Sequence, residues 1–472
     1  MLFLESKTLN RAVDTAARTH ILQALHAGNV VPLIRSSRLH LFESVLLGMD
    51  QVSEMETTLA NSIESTTGEP YVRGDLFCFD DYILFLVFED DVMRAGIVYE
   101  ANTPEPFRKL DSFCHDVRAI LMSKEQQVTM SYPEWQTNAA AMARGFRTFV
   151  ERQDADSLYT SLRKESMSKR ILAASKLEDE SARMFLRTAR NAHQEGYAAK
   201  LLTGHTESAD VPIQRLEDAG LVEREVQISC RKTGHALFRL PNPHALAVVT
   251  VSDATCSECG APVADENVEE VIAPTQLASS LLEDGSWLVS RIHFLLREMG
   301  VPERDIALGP TEGNGYGQLM ANVCGESFLI VTRDGDLTPA LARWAIDLEI
   351  DTEAAHLMIV ATGRIHKEAG VLLQNHSRRR VSGGQDFEMI IADDVATAGR
   401  ELEQALERIS QRVVAEQLCV LDSSTGFSVS RLVLTKFRLR HAAQPKEPEV
   451  VVESEPEFVP SAPLSLAAAQ EA

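Results

Sequence analysis

Cys256-Ser257-Glu258-Cys259-Gly260 carries the plainest chemistry in this chain of 472 residues. Two thiolates spaced in this way can both ligate one Zn²⁺ at about 2.3 Å per bond, and a structural site needs two ligands more. Asp334-Gly335-Asp336 offers two carboxylates that, with Glu312 or Glu326, would make a chelate for a metal ion. The same tripeptide also serves as a solvated turn, which is the plainer expectation. Gly309, Gly313, Gly315 and Gly317 punctuate GPTEGNGYG, but a phosphate loop wants a helix N-terminus directly after it, and here a strand follows. Loop flexibility is the reading that remains. Arg378-Arg379-Arg380 is placed beyond a helix C-terminus, where cations complement the dipole. Cys114 and His115 are adjacent on a helix and point about 100° apart, so one is expected buried and the other exposed. There is no G-x-S-x-G, Walker, H-E-x-x-H or intact dinucleotide motif.

The elements that position these groups follow from periodicity. Helical spacing covers residues 8–27 and 34–48, then two strand-like runs, Leu76–Phe88 and Met93–Tyr99, flank the acidic turn Glu89-Asp90-Asp91. A helix is expected from Phe107 to Met122, and residues 151–200 read as helical and rich in basic side chains interleaved with acids. Further on come helices over 182–193, 197–202 and 208–219, and strands over 226–230 and 236–240. After a helix begun by Pro274-Thr275, the order is Ile306–Leu308, Gln318–Cys324 and Ser327–Thr332 as strands, then a helix over 338–348. A buried strand His356–Ala361, a helix over 367–376, a strand Glu388–Ile391 and a long helix over 397–414 complete it.

The segment IQRLEDAGLVEREVQISCRKTGHALFRL resembles the end of a bacterial winged helix-turn-helix domain. There a recognition helix closes at a glycine, here Gly220, and a two-stranded wing follows. The resemblance implies that Ser208, Gln214 and Arg215 of the helix, with Arg231 and Lys232 of the wing, are the residues left to touch DNA. The first half of that helix holds Glu207 and Asp210, which face phosphates unfavourably, and it holds no Arg to read guanine. Such domains also serve as protein–protein modules.

Cys230 in the wing, together with the Cys256–Cys259 knuckle, resembles a zinc ribbon grafted onto the winged helix. A complete ribbon would carry a cysteine at position 233, which is Thr. The zinc ligands implied are Cys230, Cys256 and Cys259, with His235 moving in as the fourth. Two alternatives stay open: water or another residue as fourth ligand, and a metal-free knuckle of buried thiols.

From residue 276 the order α-β-β-β-α-β-α-β resembles the restriction-endonuclease-like fold, chiefly through SFLIVTRDGDLTPALARWAIDLEIDTEAAHLMIVATGRIHKEA. Active members hold Mg²⁺ with an E-x-K at the end of the second hairpin strand and an Asp on the first. Here those positions are Val331-Thr332-Arg333, and the first strand offers Asn322, so the implied site lacks its catalytic acids.

Composition bounds the rest. The chain carries a net charge of −23, which argues against non-specific polyanion binding. The charge is uneven: residues 1–150 hold 13 basic and 20 acidic side chains, 151–240 hold 15 and 14, and 241–472 hold 18 and 35. Contact with nucleic acid is thus favoured in the middle. The longest apolar run, Tyr82–Phe88, is far short of the roughly 20 residues of a membrane span. Glu5 and Lys7 stand where a signal peptide needs apolar residues, and seven cysteines do not make a disulfide framework, so a cytoplasmic location is expected.

The expected organisation is multidomain, α+β and α/β. An α+β domain spans 1–150, a helical segment and winged helix 151–245, and a zinc-knuckle linker 246–275. An inactive restriction-endonuclease-like domain spans 276–443, and a disordered acidic tail 444–472. The expected function is that of a non-enzymatic, DNA-associated regulator or structural partner on double-stranded DNA. The alternatives are a scaffold for other protein subunits and a metal-dependent nuclease with relocated ligands.

Overall fold

The computed structural model describes residues 1–27, 73–124, 134–137, 143–152, 167–195, 213–241, 244–245, 254–283, 285–309, 315–425 and 428–443. The helices expected over 34–48 and 197–202, Ser208 and the segment around it, Glu312 and the tail over 444–472 lie outside them.

The architecture is α+β, built on three sheets. The first is antiparallel, in the order β2-β3-β4-β1-β5, from β1 (Leu2–Leu9), β2 (Gly74–Cys78), β3 (Tyr82–Phe88), β4 (Met93–Glu100) and β5 (Gln136–Thr137). β3 reads YILFLVF, β-branched and aromatic residues that suit a sheet covered on both faces. Helices α1 (Thr15–Ala27) and α2 (Pro106–Lys124) cover one face, through Leu22, Phe113 and Val117 against Phe77, Leu86 and Ile97. The other face, with Leu76, Phe85 and Val98, is covered by Leu418, Leu421, Val433 and Phe437 from the far end of the chain.

Two expectations for this region need correction. Residues 8 and 9 end a strand rather than begin a helix, because LFLESKTL pairs along its whole length with β4. The run 76–88 is two strands, since Asp80-Asp81 turns the chain between them and β2 pairs back on β3. Cys114 is buried and His115 exposed, as their spacing requires.

The middle of the chain supplies α3 (Arg144–Arg152), α4 (Met167–Lys176), α5 (Glu180–Glu195) and α6 (Ile213–Asp218). A three-stranded antiparallel sheet, β7-β6-β8, follows from β6 (Val222–Ser229), β7 (Ala236–Leu240) and β8 (Asn267–Pro274). β8 is an addition to the expected two-stranded wing: it pairs with all of β6, from Val222 opposite Pro274 to Ser229 opposite Asn267. Gly220, with φ +70°, ends α6 in the left-handed conformation, and the buried Leu221 and Val222 carry the chain into the core.

The third sheet is mixed, in the order β13-β12-β11-β10-β9. Its strands are β9 (Ile306–Leu308), β10 (Tyr316–Val323), β11 (Glu326–Arg333), β12 (His356–Ala361) and β13 (Met389–Ala392). β10 runs antiparallel to both neighbours, whereas β11, β12 and β13 are parallel. All six residues of β12 are buried, as a parallel strand with both faces covered requires. One face meets α3, α9 (Pro339–Thr352) and α10 (Lys367–Ser382) through Phe149, Leu341 and Leu373. The other meets α8 (Ser286–Glu298) and α11 (Val395–Thr425) through Leu288, Ile292, Leu402 and Leu406. Thr338 caps α9 by accepting the Leu341 N–H at 3.3 Å, with Pro339 at the first helical position. α7 (Gln276–Glu283) and α12 (Val429–Ala443) complete the chain's helices among the described residues. The Arg378–Arg380 run lies inside the last turns of α10 rather than beyond it. No helix among the described residues is long and apolar enough to cross a membrane.

β1 meets the β10–β11 hairpin at a seam. Glu5 there lines a small cavity with Tyr99, Asp305, Asn322 and Cys324. Burial pushes the Glu5 carboxyl up to about 7; Arg304, 3.3 Å away, opposes the shift and Asp305 adds to it. A carboxyl raised in the folded state contributes its full stability below its unfolded value near 4.5, and that stability is lost as pH rises through 7. Glu5→Gln should therefore raise the urea midpoint at pH 8, by on the order of 2–3 kcal/mol in stability, and leave it nearly unchanged at pH 4.5.

Candidate functional site

Two turns with the same backbone pattern face each other beyond the ends of β6 and β7. In the first, the Cys230 N–H donates to the His235 carbonyl at 2.8 Å and the Gly234 N–H to the Cys230 carbonyl at 2.7 Å. In the second, the Cys256 N–H donates to the Ala261 carbonyl at 2.7 Å and the Gly260 N–H to the Cys256 carbonyl at 2.9 Å. Gly234 and Gly260 adopt φ of +72° and +74°, a left-handed conformation that glycine takes without strain. The turns are thus equivalent, and Thr233 occupies in the first the place that Cys259 holds in the second.

The sulfur atoms of Cys230, Cys256 and Cys259 and a carboxylate oxygen of Glu266 lie within 4.8 Å of one another. Cys230, Cys256 and Glu266 are buried and Cys259 is half-buried; all three thiols are free. The Cys259 thiol donates to Glu266 Oε1 at 3.0 Å, while the Arg231 N–H donates to Oε2. Hydrogen bonds from Thr233 bring the Cys230 thiol down to about 7. The bond to Glu266 pushes the Cys259 thiol up to about 12, and the Arg231 N–H holds the Glu266 carboxyl down to about 2. One carboxylate and three thiols converging in this way are a donor set for one tetrahedral ion.

His235 is the expected ligand that the structure does not bring in. Its ring is exposed and outside the cluster; its backbone carbonyl closes the first turn instead. Glu266 was not legible, because it sits in ADENVEE among acids of equal standing. What selects it is β8, whose register places Asn267 opposite Ser229, one residue before Cys230.

The residues expected to touch DNA are partly visible. Ser208 lies outside the described residues. Gln214 is exposed and donates to Asp218 Oδ1 at 3.1 Å. Arg215 is exposed on α6, and Arg231 and Lys232 are exposed on the turn between β6 and β7. None of the three arginine and lysine side chains makes an ion pair among the described residues. Arg224, by contrast, is held by Glu217 at 3.2 Å and Glu270 at 3.6 Å.

The C-terminal sheet has its own candidate pole, where β11 and β12 end. Asp334 is 3% exposed there and fully engaged. Arg187 and the Trp287 Nε1–H reach its Oδ2 at 2.6 and 2.7 Å, and the Thr362 hydroxyl donates to Oδ1 at 2.9 Å. Arg183, stacked over the Trp287 ring, stands 3.9 Å from Oδ1. Both arginines come from α5, so guanidinium groups fill the space around the carboxylate. Asp336 is half exposed and accepts the Arg364 N–H at 2.8 Å; that bond, with His366, lowers its carboxyl below the ordinary range. Val331 is in the apolar core, and Arg333 stacks on Tyr316 at 4.2 Å. Glu326 lies at the opposite end of β11, bound to His356 at 2.6 Å and to Arg412. Asp334, Asp336 and Glu326 therefore do not converge on one ion.

Of Arg378, Arg379 and Arg380, only Arg380 turns inward, pairing with the buried Glu349 at 2.9 Å. His376 holds the other oxygen of that carboxylate at 2.8 Å.

No protein-family model matches the chain, and no match to a curated protein or a solved structure was found.

Removing Asp334 takes from Arg183 and Arg187 the buried carboxylate they share. Asp334→Ala is expected to cost about 3 kcal/mol or more in urea unfolding, whereas Asp336→Ala, at an exposed turn, should cost less than about 1 kcal/mol.

Proposed function

We propose that this chain is a non-enzymatic, DNA-associated regulator or structural partner. On this reading, residues 151–245 hold a helical segment and a winged helix-turn-helix unit, and the zinc-knuckle linker over 246–275 makes its wing zinc-ribbon-like. The α/β/α unit that follows is restriction-endonuclease-like and acts as a scaffold. The succession α8-β9-β10-β11-α9-β12-α10-β13, an antiparallel hairpin followed by two parallel crossovers, supports the second resemblance. Asp334 closed under Arg183 and Arg187 supports a scaffold over catalysis at that pole.

The observation that carries the reading is the wing tip. Arg231 and Lys232 project without acidic partners, among the described residues, from a chain of net charge −23. Two adjacent exposed cations on one turn suit contact with backbone phosphates, with Arg215 on α6 as a further contact. The contacts available read phosphate more than base edges, so affinity is expected to be salt-dependent and modest in sequence preference.

A second reading, a protein–protein scaffold without DNA, is favoured by apolar side chains left in the open. Ile350 on α9 and Val381 on α10 are both 54% exposed.

Fluorescence anisotropy with a labelled duplex at low and moderate salt separates the two. The DNA reading predicts binding that weakens with salt. Arg231→Glu with Lys232→Glu should flatten the salt dependence by about two units of log–log slope, at about 0.9 per phosphate contact. No binding at either salt overturns it in favour of the scaffold.

A further inference from the structure

We propose that Cys230, Cys256, Cys259 and Glu266 bind one Zn²⁺, with Glu266 replacing the cysteine that Thr233 displaced. This inference is independent of the nucleic-acid reading.

Geometry comes first. A zinc ion with bonds of about 2.3 Å to sulfur and 2.0 Å to oxygen sets its ligand atoms about 3.8 Å apart for sulfur pairs and 3.5 Å for sulfur and oxygen. The four donors already lie within 4.8 Å of one another, so side-chain rotations without backbone movement suffice. The two turns aim their cysteines at a common point through the same pair of backbone hydrogen bonds. Three soft thiolates select zinc over magnesium or calcium.

Electrostatics supplies an independent argument. Glu266 is 5% exposed and, among the described residues, no cationic side chain pairs with it. Two other carboxylates taken out of water are met by guanidinium groups: Asp334 by Arg187, and Glu349 by Arg380. A carboxylate removed from water beside three thiols calls for a cation. Glu266 is also oriented for one. The Arg231 N–H grips Oε2 and leaves Oε1 on the sulfur side, the kind of second contact that fixes a metal ligand.

The choice of Glu266 follows from the sheet. A ribbon closed by its two turns alone needs a ligand at position 233, and the Thr233 hydroxyl cannot supply a thiolate. β8 brings Glu266 to the open corner, so the ion joins three segments: the wing turn, the second knuckle and the start of β8. His235 cannot do this, because the turn that positions Cys230 uses its carbonyl and leaves its ring outside.

The full-length protein, purified without chelator under reducing conditions, tests the assignment. Metal content is read by mass spectrometry, and affinity by competition with a chromophoric zinc chelator. One zinc per chain is expected for the wild type and for His235→Ala. Glu266→Ala should bind roughly tenfold more weakly or worse. Thr233→Cys in the Glu266→Ala background should restore wild-type retention, which a variant damaged in folding would not do. Three results overturn the proposal: a wild type that takes up no zinc after reconstitution, a Glu266→Ala that competes as well as wild type, or a double variant that fails to recover. Loss of zinc in His235→Ala alone overturns it in favour of that side chain.

Discussion

The Asp334 carboxylate is the joint on which the middle and the end of this chain depend. Four elements meet at it: α5 through Arg183 and Arg187, α8 through Trp287, and the ends of β11 and β12 through Asp334 and Thr362, with the α4–α5 junction drawn in behind. Arg183 makes that last link, donating to the carbonyls of Leu177 and Glu178 at 2.7 and 2.8 Å. Taking a carboxylate and a guanidinium out of water together rarely adds much net stability over an apolar contact of the same shape. It does make any other docking of α5 on the sheet costly, because a shifted helix would leave a buried charge unpaired. The seating of α5 on the C-terminal sheet is therefore fixed by charge, and apolar packing of Phe185 and Leu186 in the shared core supplies the adhesion.

The same logic recurs at the opposite end of β11. His356 is fully buried; its Nδ1 accepts the Glu388 N–H at 3.1 Å, so Nε2 carries the proton and donates to Glu326. Burial raises the Glu326 carboxyl, and the bonds from His356 and Arg412 outweigh it and hold the group below its usual range. Arg412 belongs to α11, whose far half and α12 cover the open face of the N-terminal sheet. The long helix thus ties the two five-stranded sheets together. Residues from both ends of the chain share one apolar cluster as a result, Leu4 and Leu76 lying against Val414 and Phe437.

Legibility in the sequence tracked how local each signal is. β12 and β7 fall where their residues place them, because five consecutive apolar residues, or a short largely apolar run after a Gly turn, carry their own cause. β1 and β8 do not. LFLESKTL buries Ser6 and exposes little apolar periodicity, and it is a strand because β4, about ninety residues later, pairs with it. NVEEVIAP carries two central glutamates that look like loop or helix, and β6 makes it a strand while Arg224 meets Glu270. Asp334 shows the same limit for a site. Asp-Gly-Asp reads as a solvated turn, and for Asp336 that is what it is, yet Asp334 is buried by arginines 147 and 151 positions upstream. The knuckle cysteines were legible from spacing alone. Glu266 was not, since its selection is a matter of strand register.

Three of the carboxylate environments in this acidic chain differ in what stands opposite the charge. Guanidinium groups meet Asp334 and Glu349, where long side chains from a neighbouring helix can reach. Burial raises the Glu5 carboxyl to about 7, at a seam where Arg304 is half exposed and Asp305 crowds the same space. Glu266 fits neither case. The basic residue that touches it, Arg231, offers only its backbone N–H, and the Arg231 side chain is exposed beside Lys232. A metal ion is the cation small enough to enter between three sulfur atoms and one oxygen, and it leaves the exposed Arg231 and Lys232 side chains undisturbed. Neutralisation of Glu266 inside the turn and exposure of the two cations outside it are then two consequences of one arrangement of the chain.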